Sequence, residues 1–248
     1  MSTGALRDLV LAGVYWELED KATLGQKKIP DVASGSVSAR PFGGTVVPAV
    51  APSVTMSLDM VRSMASRPTD VCALNRMIGE FNHPLRSGAT NTVLPHVGRG
   101  KLLVLTDMPS SDDDESGIVL SGGAGALMDK MLGAIGLSRE DVSIVPVLFW
   151  RTPGGRSPSR EELDLSRPFV DKAVELLSPR VILTIGALPA SEIAGVNLAK
   201  SHGEPVVLPS GATMVPIFHP NYLMLKPDAK RDVWSALQKV QNILKNAE

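Results

Sequence analysis

One cysteine, Cys72, is all that this 248-residue chain holds. A single thiol makes no internal disulfide, cannot supply the several thiolates of an iron–sulfur cluster, and fits a reducing compartment. Long apolar runs are missing too. No stretch approaches the roughly 20 residues a bilayer-spanning helix needs, so no membrane partner is expected. The opening residues, Met1 to Gly13, include an acidic side chain and lack a signal-peptide layout. Cytoplasm is therefore the expected location. An excess of charge of either sign is also absent: 25 Lys and Arg stand against 26 Asp and Glu, a formal net charge of −1. Any contact with nucleic acid must then come from a local patch and not from the field of the whole protein. What is present, 44% hydrophobic and 21% charged residues, describes an ordinary globular chain with one good core plus appendages.

Along the chain, Leu6, Leu9, Val10, Val14 and Leu18 recur at helical spacing, which predicts an amphipathic helix over 1–24 that could dock on a protein partner. Residues 25–57 are rich in Pro, Ala, Gly, Ser and Val and keep no period, as in a flexible linker. Helical periodicity returns between Ser57 and Phe81, so the compact domain is expected over 58–248. There, short apolar runs alternate with amphipathic segments, the pattern of βα units feeding a mostly parallel sheet. Strands are predicted at Leu102–Thr106, Val142–Leu148, Val181–Ile185 and Thr213–Phe218. Helices are predicted at Ala124–Leu137, Glu161–Leu177, about Pro189–Ala194 and Lys230–Leu244. The result is an α/β fold, three layers α/β/α around a central four-stranded sheet, with ligands expected at the carboxyl ends of the strands.

Two loops follow such ends. Ile217-Phe218-His219-Pro220-Asn221-Tyr222-Leu223 closes an apolar run with a His-Pro turn and then offers a large apolar side chain. A rigid imidazole there can hydrogen-bond the oxygen of a departing base, and a leucine can fill the gap that a flipped base leaves. The other loop is Asp107-Met108-Pro109.

These residues resemble the uracil-DNA glycosylase superfamily, and most closely its family 4 type, including alphaproteobacterial relatives with a tryptophan at one cluster-cysteine position. The GEAPG…GxPFVGxAG element is similar to Thr106-Asp107-Met108-Pro109-Ser110 followed by Gly117 to Gly125. The ITNVxxWRPPGNRxP element is similar to Ile144 to Pro158, and CxPF to Ser166-Arg167-Pro168-Phe169. PxVxxxLG is similar to Pro179 to Gly186, and the HPxxLL segment to the stretch from His219 to Leu237. A TATNxVF stretch of the relatives is similar to Ala89 to Val93. The resemblance covers about Phe81 to Leu244 in unbroken order.

It implies a DNA glycosylase that hydrolyses the N-glycosidic bond of a flipped uracil or related deaminated base. His219 would donate to the charge developing on the base, a contribution on the order of 3 kcal/mol for one well-placed donor. Asp107 would orient water or stabilise the sugar cation. Met108, Pro109, Leu120 and Pro146 would line the base pocket. Leu223 would wedge the duplex, and Arg151, Arg156 and Lys226 would grip phosphates. Asp107 is also the residue type of a simple turn or cap, and Leu223 of a core position.

The chain departs from the family where chemistry is concerned. Leu120 replaces the stacking Phe and has no π face. Pro146 replaces the base-reading Asn and has neither amide nor N–H. Thr106 and Ser110 replace two glycines that let backbone approach the base. Trp150 and Ser166 stand at two cluster-cysteine positions and His83 aligns with another, so no iron–sulfur cofactor is expected. The run Asp112 to Glu115 reads as a solvated loop face, Gly122 to Gly125 as a tight helix entry, Gly186 as a turn residue, and His96 and His202 as surface positions. A monomer acting on DNA is expected. The other possibility is a DNA-binding or adaptor protein that keeps the fold without base excision, which Pro146 and Leu120 favour.

Overall fold

The computed structural model describes residues 57–246. The helix expected over 1–24, and the linker over 25–57 apart from Ser57, lie outside them. The helical period after Ser57 forms two helices, α1 (Leu58–Ala65) and α2 (Val71–Glu80). They are separate because Pro68 disfavours helical backbone at the residue before it and Asp70 starts afresh, accepting the Ala73 N–H at 2.8 Å.

The sheet runs β1 (Leu102–Thr106), β2 (Val142–Pro146), β3 (Val181–Ile185), β4 (Val206–Val207) and β5 (Thr213–Ile217), in the spatial order β2-β1-β3-β5-β4. The first four in that order pair in parallel, and β4 joins β5 antiparallel. Its two residues carry no period, so the pattern that revealed the other four strands could not reveal this one. Strands β1, β2 and β3 are buried at every position, as expected of parallel strands covered on both faces.

Alternation along each strand divides the core in two. Leu102, Val104, Ile144, Val181, Leu183 and Ile217 face helices α4 (Gly122–Ala134) and α9 (Lys230–Lys245) through Met128, Leu132, Leu237 and Val240. Leu103, Leu105, Val145, Ile182 and Met214 face α1, α2 and the long helix α5 (Arg160–Leu177) through Val61, Ile78 and Phe169. The short helices α3 (Ser111–Ser116), α6 (Ala187–Ala194), α7 (Leu198–Ser201) and α8 (Pro220–Leu225) occupy the connections.

Several ends differ from the sequence reading for local reasons. Helix α4 stops at Ala134 because Gly136 turns left-handed at φ +79 and the Leu137 N–H returns to Leu132 O. Strand β2 ends at Pro146, and the last bond to β1 comes from the next residue, the Val147 N–H donating to Thr106 O at 3.0 Å. Helix α5 begins on a reciprocal cap: Ser159 Oγ accepts the Glu162 N–H, and Glu162 accepts the Ser159 N–H.

Because β3 sits at the centre of the sheet with Leu183 fully buried, Leu183→Ala should cost about 3 kcal/mol. For a domain of this size that lowers the thermal midpoint by roughly 6–12 °C. Calorimetry checks it; a midpoint unchanged within a degree would place Leu183 outside the core.

Candidate active site

Every parallel strand ends at the same pole, and the loops that leave it carry the polar side chains. Asp107 follows β1, Gly186 follows β3, and Phe218–His219 follow β5. The three strands are neighbours, and the Gly186 N–H donates to Ile217 O at 3.0 Å, tying the second loop to the third.

Asp107 is half-buried as a residue, but its Oδ1 is cut off from solvent and has no hydrogen-bond partner. Desolvation pushes its carboxyl up to about 7. Gly186 makes this pose possible. It lies at φ +101, ψ 170, where only glycine is at ease, and a Cβ there would stand 2.7 Å from Asp107 Oδ2. Expected as a plain turn residue, it proves to be the floor under the carboxyl.

His219 caps α8. Its Nδ1 accepts the Asn221 N–H at 3.2 Å, which leaves the proton of the neutral ring on Nε2. Burial holds the imidazole down at about 4, opposed by the charge of Asp113. At neutral pH the ring is thus a neutral Nε2–H donor.

Asp113 was not singled out by sequence. The acidic run expected as a solvated face has two buried members, Asp113 and Asp114. Asp113 Oδ1 accepts the Ser121 N–H at 2.6 Å and its O–H at 2.7 Å, and Oδ2 accepts the Ser110 N–H at 3.0 Å. Asp114 Oδ1 accepts the N–H groups of Thr90 and Asn91. Both are buried because donors satisfy them, from nearby Ser110 and Ser121 for Asp113 and from the distant Thr90–Asn91 segment for Asp114. The one sequence signal available was Ser110 three residues before Asp113, a capping pattern.

The remaining expected positions separate. Pro146 ends β2 opposite Thr106, and Pro109 is buried next to half-buried Met108, whose Sδ accepts the Thr152 hydroxyl at 3.3 Å. Leu120 is buried in a left-handed conformation at φ +53, costing about 1 kcal/mol or more for a non-glycine residue. Leu223, expected to wedge the duplex, is 1% exposed in the core between sheet and helices. The position faces inward on α8, while its neighbours Met224 and Leu225 are 47% and 59% exposed. Arg156, expected to hold phosphate, is bound by both Nη atoms to Glu162 at 2.9 and 2.5 Å. Arg151 is half-buried and Lys226 exposed.

Ser110, replacing a glycine, is occupied in capping α3. His96 and His202, expected at the surface, are both half-buried. His96 pairs its backbone with Ile144 and its Nε2 with Arg139 O, and His202 stacks on Phe218 at 4.1 Å. A groove of about 470 Å³ between α1 and α5 is lined by side chains already paired with one another, such as Arg160 with Asp164 and Arg167 with Asp171, and shares no residue with this pole.

On the face of the sheet covered by α1, α2 and α5, Trp150 and His83 stack at 4.6 Å and 11°. Trp150 donates its Nε1–H to Thr92 Oγ1, and His83 bridges the Leu85 N–H and Glu162 O. Among the described residues no group of three or more His, Cys, Asp or Glu could hold a metal ion, and no helix is long and apolar enough to cross a membrane.

Residues 96–240 match the family model described as the Uracil DNA glycosylase superfamily. The chain is 31% identical over 171 residues to the type-4 uracil-DNA glycosylase of Thermotoga maritima, covering 65% of this chain and 88% of that one. It is 29% identical to the Archaeoglobus fulgidus enzyme of the same name, covering 63% and 83%. To that of Pyrobaculum aerophilum it is 33% identical over 112 residues, covering 44% and 57%.

The raised Asp107 carboxyl sets a pH dependence of stability. Its folded state holds a proton that the unfolded chain has lost above about pH 4, so this group stabilises at low pH and the contribution is lost as pH rises toward 7. Asp107→Asn removes that dependence. Its thermal midpoint relative to wild type should therefore rise between pH 4 and pH 8; a difference flat across that range would contradict the buried carboxyl.

Proposed function

The chain belongs to the uracil-DNA glycosylase superfamily, and from that membership we propose that it hydrolyses the N-glycosidic bond of a flipped uracil or related deaminated base in DNA. The observation that carries this reading is chemical. A neutral imidazole with its proton on Nε2 and a desolvated carboxyl stand on loops from the same pole of one sheet.

In the reaction the C1′–N bond breaks and its electron pair leaves with the base. His219 Nε2–H donates a hydrogen bond to the base oxygen that gathers this charge; being neutral, it need not lose its own proton. Asp107, ionised, faces the cationic sugar, and the low dielectric that raises its pKa also strengthens its attraction to that cation. Water adds at C1′ and its proton passes to the carboxylate. Pro146 offers no amide and Leu120 no π face, so neither distinguishes uracil from related bases, and the substrate is assigned only as a class.

The exposed pair Met224–Leu225 takes the wedge role in place of Leu223, and Arg151 and Lys226 meet phosphates. An iron–sulfur cluster does not fit the residues present. The lone thiol, Cys72, is exposed on α2, and the His83–Trp150 stack packs where the resemblance puts two of the ligands. We assign the protein to the cytoplasm as a monomer without that cofactor, with residues 1–24 as the segment for any protein partner.

Uracil release from a labelled single-stranded oligonucleotide tests the reaction. His219→Ala should lose about 100-fold or more in rate, and Asp107→Asn should lose activity as well. With ionised Asp107 the working form, kcat/KM should rise with pH through about 7, and protonation of His219 should add a second loss only below about 4. DNA binding without an abasic product from uracil, hypoxanthine or xanthine would favour the second reading, an adaptor that keeps the fold, which Pro146 supports.

The wedge assignment separates by substrate. Met224→Ala with Leu225→Ala should slow excision from duplex and spare single strands, since only duplex requires the gap to be filled. Equal loss on both would remove these residues from that role.

A further inference from the structure

We propose that Arg139, which precedes β2 and lies outside the reacting groups, is a positioning residue for this site through the left-handed turn at Leu120. Its Nη2 donates to two successive carbonyls, Val119 O and Leu120 O, the second at 2.9 Å, while Nη1 is anchored on Asp129 of α4 at 3.2 Å. Two consecutive carbonyls can meet one guanidinium nitrogen only when the chain between them turns, and Leu120 at φ +53 is that turn.

Helix α4 leaves room for nothing else. A Cβ on Gly125 would stand 2.1 Å from Leu120 O, so helix and carbonyl are already in contact. The backbone of Arg139 is held in its turn by His96, whose Nε2 bonds Arg139 O at 3.0 Å while its main chain bridges Ile144 of β2.

The next residue carries the constraint inward. Ser121 gives both its N–H and its hydroxyl to Asp113 Oδ1. The helix that Ser121 caps, α4, packs on α8, the helix that His219 caps, with Gly123 against Met224, and the Asp113 charge opposes the effect of burial on His219. One forked cation, fixed between strand β2 and helix α4, therefore sets the place of Leu120 and, through Ser121, the place of Asp113. Lysine, a point charge without a planar fork, cannot hold the two carbonyls and Asp129 together.

The kinetic part of the test rests on the glycosylase reading, so a measurement free of catalysis accompanies it. In the full chain with Arg139→Ala, the Ser121 amide should exchange its hydrogen about tenfold faster or more, while Leu103 and Val104 of β1 keep wild-type protection. Unchanged protection at Ser121 overturns the proposal. On uracil-containing single strands the variant should lose about tenfold in kcat with KM little changed, and a few millimolar guanidinium ion should restore much of the loss, because the side chain is only partly covered.

A wild-type kcat in a variant whose Ser121 amide is loosened overturns the proposal, as does a loss that guanidinium leaves untouched and that follows the melting temperature. If the wild-type protein releases no base, the glycosylase reading fails and hydrogen exchange still decides the role of Arg139. Should Arg139→Ala not fold, Arg139→Lys carries the same measurements, with faster Ser121 exchange expected again.

Discussion

A carboxyl group pressed against a backbone carbon organises this molecule's chemistry. A Cβ on any residue but glycine at position 186 would stand 2.7 Å from Asp107 Oδ2, and Oδ1 has no partner. A buried polar atom left unsatisfied opposes folding, so the surrounding sheet must hold it there. It does so with the tightest part of the structure. Strands β1, β3 and β5 run in parallel register with every side chain but Thr213 buried, and the Gly186 N–H locks β3's exit to β5's last carbonyl. Stability is given up at the one place where a proton-holding group is needed, a common trade at functional sites.

The second carboxylate is treated in the opposite way. Asp113 receives three donors, from Ser110 and twice from Ser121, and stays near His219 as a satisfied anion. Two acids six residues apart thus meet opposite environments, one starved of donors and one saturated. The His219 imidazole stays neutral because burial outweighs the attraction of Asp113.

Positions where this chain departs from the resemblance are built into the structure by contacts of their own. Where the resemblance expects glycine, Ser110 caps a helix. Where it expects cluster ligands, His83 and Trp150 stack and find hydrogen bonds of their own within an aromatic group that includes Phe81 and Phe169. Such contacts fill volume and fix orientation without metal, though they supply no redox chemistry. Leu120 turns left-handed with its carbonyl bonded by Arg139 and set close against Gly125.

Strand runs such as Leu102–Thr106 and Val181–Ile185, the α5 cap at Ser159, and the His-Pro turn were legible in the sequence, because periodicity and capping act over a few neighbouring residues. So were His219 and Asp107 as candidates, since residue type at a strand's end is a local fact. Which apolar residue after the histidine faces solvent was not, because inward Leu223 and outward Met224 differ only by where α8 rests on the core. Nor was Arg156 legible as the partner of Glu162, or Asp113 as a buried anion fed by Ser121. Sequence alone determined the order of elements and the chemical repertoire. Tertiary structure alone decided which groups lost water and which gained donors, because desolvation and hydrogen bonding depend on atoms brought together from distant parts of the chain.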